Sequence, residues 1–282
     1  MLQAPQRTGL SGPTLIRLLT RLTDAEVQQS RQSLSDHLSQ WLGWTDAIAL
    51  SAALNTAPPV IAPGARMFSS AEERECVRVR TTLADAIASD TAATAAKRVA
   101  PARAPAKKLA AVLAEDAFDY SSFRQRYLSL QHTMETSIGN LRSRLRGMVA
   151  ARNGEWTRLA VVDAIMDRAL LPKERALLGA IPKLLQAHFD RLRKAEEAAL
   201  AQAAEQALAE PRAPADATAD VPGDTEAPAV DAAQAGTSPP APAITAGAWL
   251  DTFRADMRAV LLAELDVRLQ PVEGLLAALR TS

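Results

Sequence analysis

The sequence predicts an all-α protein, and three observations carry that expectation. Large apolar residues recur at threes and fours from Phe123 to Met148 and from Trp249 to Leu269, the spacing that lines one face of a helix. Ser or Thr with Glu three residues on stands ahead of apolar runs at Thr23–Glu26 and Ser69–Glu72, as in a capping box. Gly43, Pro58-Pro59 and Pro63-Gly64 punctuate the chain between such runs. The predicted order is a small N-terminal helical bundle (1–57), then a connector with one helix and a basic Ala/Pro arm (58–118). A long central helical hairpin (119–210), a disordered Pro/Ala linker (211–247) and C-terminal amphipathic helices (248–282) follow.

Ser11 and Pro13 open the first helix, with Leu15, Leu18, Leu19 and Leu22 as its apolar face. The next aligns Val27, Leu34, Leu38 and Trp41, and Gly43 ends it; Thr45-Asp46 opens a third, through Leu54. Short loops make a compact bundle of these three, with Trp41 and Trp44 as core or interface anchors. Behind Ser69–Glu72 a helix carries Val77, Leu83 and Ile87. From Ala92 to Lys108 the chain turns to Ala, Pro and base. Lys97, Arg98, Arg103, Lys107 and Lys108 carry five positive charges with no acid among them. No aromatic residue interleaves to stack on bases, so a solvated linker is the simpler reading.

The central hairpin has the clearest pattern. Phe123, Tyr127, Leu130, Met134, Ile138, Leu141, Leu145 and Met148 form one stripe with repeated 11-residue spacings, which favours straight packing. Arg152-Asn153-Gly154 makes the turn. The returning arm presents Trp156, Leu159, Val162, Ile165, Met166, Ala169 and Leu170 until Pro172 interrupts it, and Pro182 adds a second break. An arm ending at Pro172 spans ~27 Å against ~38 Å for the stripe, at 1.5 Å per residue. Phe123 and Tyr127 are therefore expected to be buried by something else: the segment after Pro172, the N-terminal helices or a second copy, the last being slightly favoured. Beyond Leu185, Phe189 and Leu192, an Ala/Glu/Gln-rich extension to Glu210 has helix propensity but little bulk to bury.

Residues 211–247 hold seven prolines and five acids among small residues, a composition that predicts a disordered tether. After it, Trp249, Phe253, Met257, Val260, Leu261, Leu265 and Leu269 share a helix face that must be buried on the chain's own core, on a second copy or on another protein; Pro271 ends the run, and Val272, Leu275, Leu276 and Leu279 make a last short helix.

Composition bounds the function. Lys plus Arg and Asp plus Glu number 32 each, so no global field draws the chain to nucleic acid or membrane. Aromatic content of 4% argues against a large rigid enzyme core, and Cys76 is the only cysteine, which suits a reducing compartment. There is no secretory leader pattern and no run of about 18 apolar residues, so a cytoplasmic protein without a transmembrane segment is expected. Phosphate loops, GxSxG, HExxH and CxxC are all missing. His132 and Glu135 are one helical turn apart, too few ligands for a metal site in a bundle. No enzyme, catalytic residue, cofactor or metal is expected.

The stretches RTGLSGPTLIRLLTRLTD (7–24), SLSDHLSQWLGWTDAIALSAAL (33–54) and YLSLQHTMETSIGNLRSRLR (127–146) resemble a proteobacterial helical family known as a domain of unknown function. Its members are encoded beside proteins resembling MotA/TolQ/ExbB proton-channel subunits and OmpA-like envelope proteins. The resemblance implies a cytoplasmic accessory to an envelope machine and brings no catalytic residues with it.

Three functional readings follow. The first is a non-enzymatic adaptor or scaffold that binds a protein partner, or its own copy as a homo-oligomer or coiled coil, through helical surfaces. Phe123, Tyr127, Trp249, Phe253, Met257 and Leu261 are its candidate partner-binding residues. On this reading, removing residues 248–282 leaves the remaining fold intact. The second is a nucleic-acid or polyanion binder using the basic arm with Arg142, Arg144 and Arg146; the third, an amphipathic coat on a granule or membrane surface. No small-molecule substrate is evident.

Overall fold

The computed structural model describes residues 13–23, 32–55, 68–99, 119–152, 154–209 and 247–281. These are helical throughout, without a strand: α1 (Thr14–Thr23), α2 (Leu34–Trp41), α3 (Trp44–Asn55), α4 (Ser70–Val99), α5 (Tyr120–Ala150), α6 (Gly154–Leu178), α7 (Ile181–Ala209) and α8 (Ala248–Arg280). The all-α expectation holds.

α5 is the axis of the core. Asp119 caps its start, its carboxylate accepting from the Ser121 N–H at 3.1 Å. Tyr120, Phe123, Tyr127, Gln131, Met134, Ile138, Leu141, Leu145 and Met148 form its buried stripe, while Leu130 is only partly covered. The chain turns at Ala151-Arg152 and returns as α6. This hairpin is clamped by charge. Arg142 reaches Asp163 and Asp167, each at 2.6 Å, and Arg146 reaches the same two carboxylates at 2.6 and 2.7 Å. Residues four apart share a helix face, so two arginines meet two aspartates across the antiparallel pair.

Two expected breaks are absent. α6 runs unbroken through Pro172, and α8 runs from Ala248 to Arg280 through Pro271. An interior proline costs about 3 kcal/mol. Leu269, Val272, Leu275, Leu276 and Leu279 on either side of Pro271 are all buried, at roughly 1.5–3 kcal/mol each, so packing wins. The break falls instead at Gly179-Ala180, and Pro182 sits in the first turn of α7, where no N–H is lost.

α8 lies along α5 and is flanked by α4, α7 and α1. It buries sixteen residues, which makes it a principal wall of the core. Phe123 and Tyr127 are buried as expected, with α8 and α7 supplying the cover. α4 contributes Cys76, Leu83 and Ile87, whereas Val77, expected on that face, points outward at 65% exposure. Glu72 accepts from the Ser69 N–H at 2.9 Å, the reach-back of a capping box.

The three short helices spread over the core without a common centre of their own. α1 buries Leu15 and Leu22 against α7 and α8, while α2 and α3 rest chiefly on α6 and bury nothing fully. The capping box nearest α2 is Ser33 with Asp36. The predicted Thr23–Glu26 box, most of the basic arm and linker positions 211–246 lie outside the described residues.

Candidate functional site

The most elaborate chemistry in the fold is the seat of α8. At its N-terminal end Gly247 adopts φ 87° and donates its N–H to Glu196 of α7 at 2.7 Å. Just beyond it, Trp249 and, about one turn further, Phe253 enter an aromatic cluster with Tyr120, Phe123 and Phe189. Phe253 has ring centroids 5.0 Å from Phe189 and 5.2 Å from Phe123, both edge to face, and Phe189 meets Trp249 at 4.8 Å. The Tyr120 hydroxyl donates to the Pro182 carbonyl, and burial pushes its pKa up to about 12. Beside the cluster, His188 Nε2 lies 2.9 Å from Asp256, a carboxylate that Arg21 of α1 also approaches at 3.4 Å. Arg191 donates to the Leu22 carbonyl, so α1, α7 and α8 are tied at one corner.

Midway along α8 a polar network replaces the apolar contacts. Glu264 has no exposed surface, and its carboxylate accepts from the Tyr127 hydroxyl at 2.7 Å, from Gln131 Nε2 at 2.9 and 3.0 Å, and from Arg268 at 2.9 Å. Gln131 Nε2 also donates to the Leu178 carbonyl at 3.1 Å, satisfying one of the last acceptors of α6. Arg268 extends the network to Glu174 of α6 at 3.0 Å. Burial first, then the Glu264 charge, raises the Tyr127 pKa strongly, so the phenol stays protonated and remains a donor. Burial likewise raises Glu174, against the pull of Arg268. Donors from α5 and α8 therefore converge on one carboxylate, and Gln131 and Arg268 link it to α6.

At the far end, Arg80 of α4 pairs with Asp266 and, at 3.0 Å, with Glu273. Arg280 meets Glu73 at 2.6 Å, and Arg152 donates to the Leu279 carbonyl at 2.9 Å.

This seat accounts for all six residues expected to bind a partner. Phe123, Tyr127, Trp249, Phe253, Met257 and Leu261 are each at most 7% exposed and line the junction of α8 with its own core. Arg142 and Arg146 are both held by Asp163 and Asp167 in the hairpin clamp, and Arg144 lies 3.5 Å from Glu75 of α4. Glu135, paired with His132 in the sequence reading, is instead held by Arg175 at 2.8 Å, and that hydrogen bond keeps its carboxyl below the ordinary range.

Sequence reasoning missed Gln131, Glu264 and Arg268. Their signal was available: each is a polar residue in register with an apolar stripe, Gln131 between Tyr127 and Met134, Glu264 and Arg268 among Leu261, Leu265 and Leu269.

The exposed apolar residues lie elsewhere. Trp44 is 81% exposed, Leu34 73%, Ile48 and Leu54 53% each, and Trp41 36%, all on α2 and α3. A shallow groove between α5 and α6, lined by Ser143, Gly147, Ala150, Ala160 and Ala164, is open to solvent. The last described side chains of α7, 201–206, are all exposed. Among the described residues no helix is long and apolar enough to cross a membrane.

Compared with known proteins, residues 1–218 and 223–281 match a family model described as a protein of unknown function, DUF3348. No curated protein and no solved structure matches the chain.

Proposed function

We propose that this chain, which belongs to the DUF3348 family of proteins of unknown function, is a non-enzymatic helical adaptor that presents α2 and α3 to a protein partner. One observation carries the reading: Leu34, Trp41, Trp44, Ile48 and Leu54 are gathered on two short helices outside a core that α8 already closes, whereas the other exposed large apolar residues, Val77 and Leu177 among them, are spread over the longer helices and α1. Large apolar residues gathered on one exposed region mark interaction surfaces. The aromatic and Arg/Asp groups that could have formed a second surface are matched to one another within the chain. The adaptor therefore binds through α2 and α3, with α8 as part of the platform. The resemblance to proteins encoded beside MotA/TolQ/ExbB-like subunits suggests an envelope complex as one setting for the partner.

Affinity purification of the full chain, compared with Trp44→Asp, tests this. A partner retained by the full chain and lost by the variant is the expected outcome. A partner that survives Trp44→Asp with undiminished yield places the binding surface elsewhere.

A further inference from the structure

α3 is nearly free of charge. Its sequence, WTDAIALSAALN, contains one charged residue, Asp46, and that residue bonds Arg168 of α6 at 3.1 Å. Asp46, Ala49, Leu50 and Ala53 are the half-buried positions toward α6. Trp44, Thr45, Ala47, Ile48, Ser51, Ala52, Leu54 and Asn55 face outward, and none of them is ionisable. Its outer face mixes apolar residues with the uncharged polar Thr45, Ser51 and Asn55, and among the described residues α3 packs chiefly on α6.

We propose that the outer face of α3 is the contact between two copies of this chain, paired antiparallel about a two-fold axis near Ile48 and Ser51. The proposal rests on the adaptor reading and names the partner at that same surface. Three features favour a second copy. A face without charge meets itself without like-charge repulsion, and interface cores are depleted in charge. Its bulk alternates: Trp44, Ile48 and Leu54 are large, while Ala47, Ser51 and Ala52 are small. In the antiparallel register Ile48 of one copy lies over Ser51 of the other, and Trp44 over the Leu54 end, so large residues meet small ones at the axis and close the ends. This is the self-complementarity an isologous interface requires. The area also fits. With Leu34 and Trp41 of α2, the exposed apolar side chains present on the order of 600 Å², against ~800 Å² per partner in a standard interface, and polar neighbours supply the rim. A bilayer with anionic headgroups fits less well, because Arg168 is already matched by Asp46.

Sedimentation equilibrium of the full chain, from nanomolar to tens of micromolar, tests the proposal. A dimer is expected, with Ile48→Asp and Trp44→Asp each weakening it by about tenfold or more while the melting temperature holds. The register is tested in a Cys76→Ala background. Mixing Ile48→Cys protein with Ser51→Cys protein should give a disulfide-linked pair under mild oxidation, and Trp44→Cys protein alone should not link to itself. A monomer at every concentration overturns the proposal, as does a dimer indifferent to both Asp variants, or self-linking at position 44. A monomeric chain that still holds a different protein through Trp44 refutes self-pairing and leaves the adaptor reading standing. A chain that does neither refutes both.

Discussion

Glu264 is a fully buried carboxylate, and every group around it is a donor: a phenol, an amide and a guanidinium. Such a site contributes more to uniqueness than to stability, because matched polar groups fix one register of α8 against α5 while their desolvation offsets most of the attraction. Glu264→Ala, which strands Tyr127, Gln131 and Arg268, should cost about 3–5 kcal/mol in chemical denaturation. Replacing Gln131, Glu264 and Arg268 together with Leu, Leu and Met should recover most of that loss; a triple variant as unstable as the single one would mean that the network itself holds the fold. The Glu135–Arg175 pair makes the opposite case, a pH-dependent surface contact. Arg175 holds the Glu135 carboxyl below its ordinary 4.5, so the contribution is present above that pH and fades as pH falls through the depressed value. Arg175→Ala should therefore lower stability slightly at pH 7 and have no effect once Glu135 is protonated. Equal losses at neutral and strongly acid pH would exclude the linkage. The apolar halves of these sites were legible in the sequence, since periodicity marks Phe123, Tyr127 and Leu261 as facing a core. Their polar partners were not, because Gln131 and Glu264 lie 133 residues apart and spacing carries no information over that range.

Among the elements, α8 departs most from its sequence signature. Pro271 reads as a terminator, yet the helix continues for nine more residues to Arg280, because the core accepts leucines on both sides of it. Pro271→Ala restores a backbone donor inside the helix and should raise stability by about 1–3 kcal/mol in calorimetry; a lower melting temperature would mean the proline ring itself is needed for packing. Gly247 is the opposite kind of position. Its φ of 87° suits glycine, and its N–H is committed to Glu196, so Gly247→Ala should destabilise by about 1–2 kcal/mol. The helix faces of α5, α7 and α8 followed from spacing alone. What covers each face did not, since an apolar stripe states that it needs a neighbour and not which one. Spacing leaves the stripe's uncovered end to the segment after Pro172, the N-terminal helices or a second copy; α7, which lies in that segment, fills it together with α8.

For the whole molecule, sixteen buried positions on α8 alter what truncation means. Expected from sequence to leave the rest folded, a chain ending before residue 248 would lose the sixteen buried residues of α8 and uncover Phe123 and Tyr127, at roughly 1.5–3 kcal/mol for each large apolar side chain. A domain's net stability is only about 5–15 kcal/mol. The truncated chain should lose its cooperative melting transition, and a peptide of residues 247–281 added in trans should restore it; a cooperative transition without the peptide would show that α1 to α7 suffice. The connection makes such repair plausible on length alone. Gly247 docks beside Glu196, about 20 Å from the end of α7 at 1.5 Å per residue, whereas the 37 residues between could reach ~120 Å. The placement of α8 also has a meaning in time. On a ribosome adding roughly 5–20 residues per second, the apolar stripe of α5 is complete on the order of ten seconds before its cover is made. The pairings that close the fold, Arg80 to Glu273 and Arg21 to Asp256, span 193 and 235 residues, so little of the core can settle early. Until the last helix emerges, the nascent chain carries an open hydrophobic groove of the kind chaperones bind, and any chain interrupted before α8 keeps that groove open and remains a substrate for proteolysis.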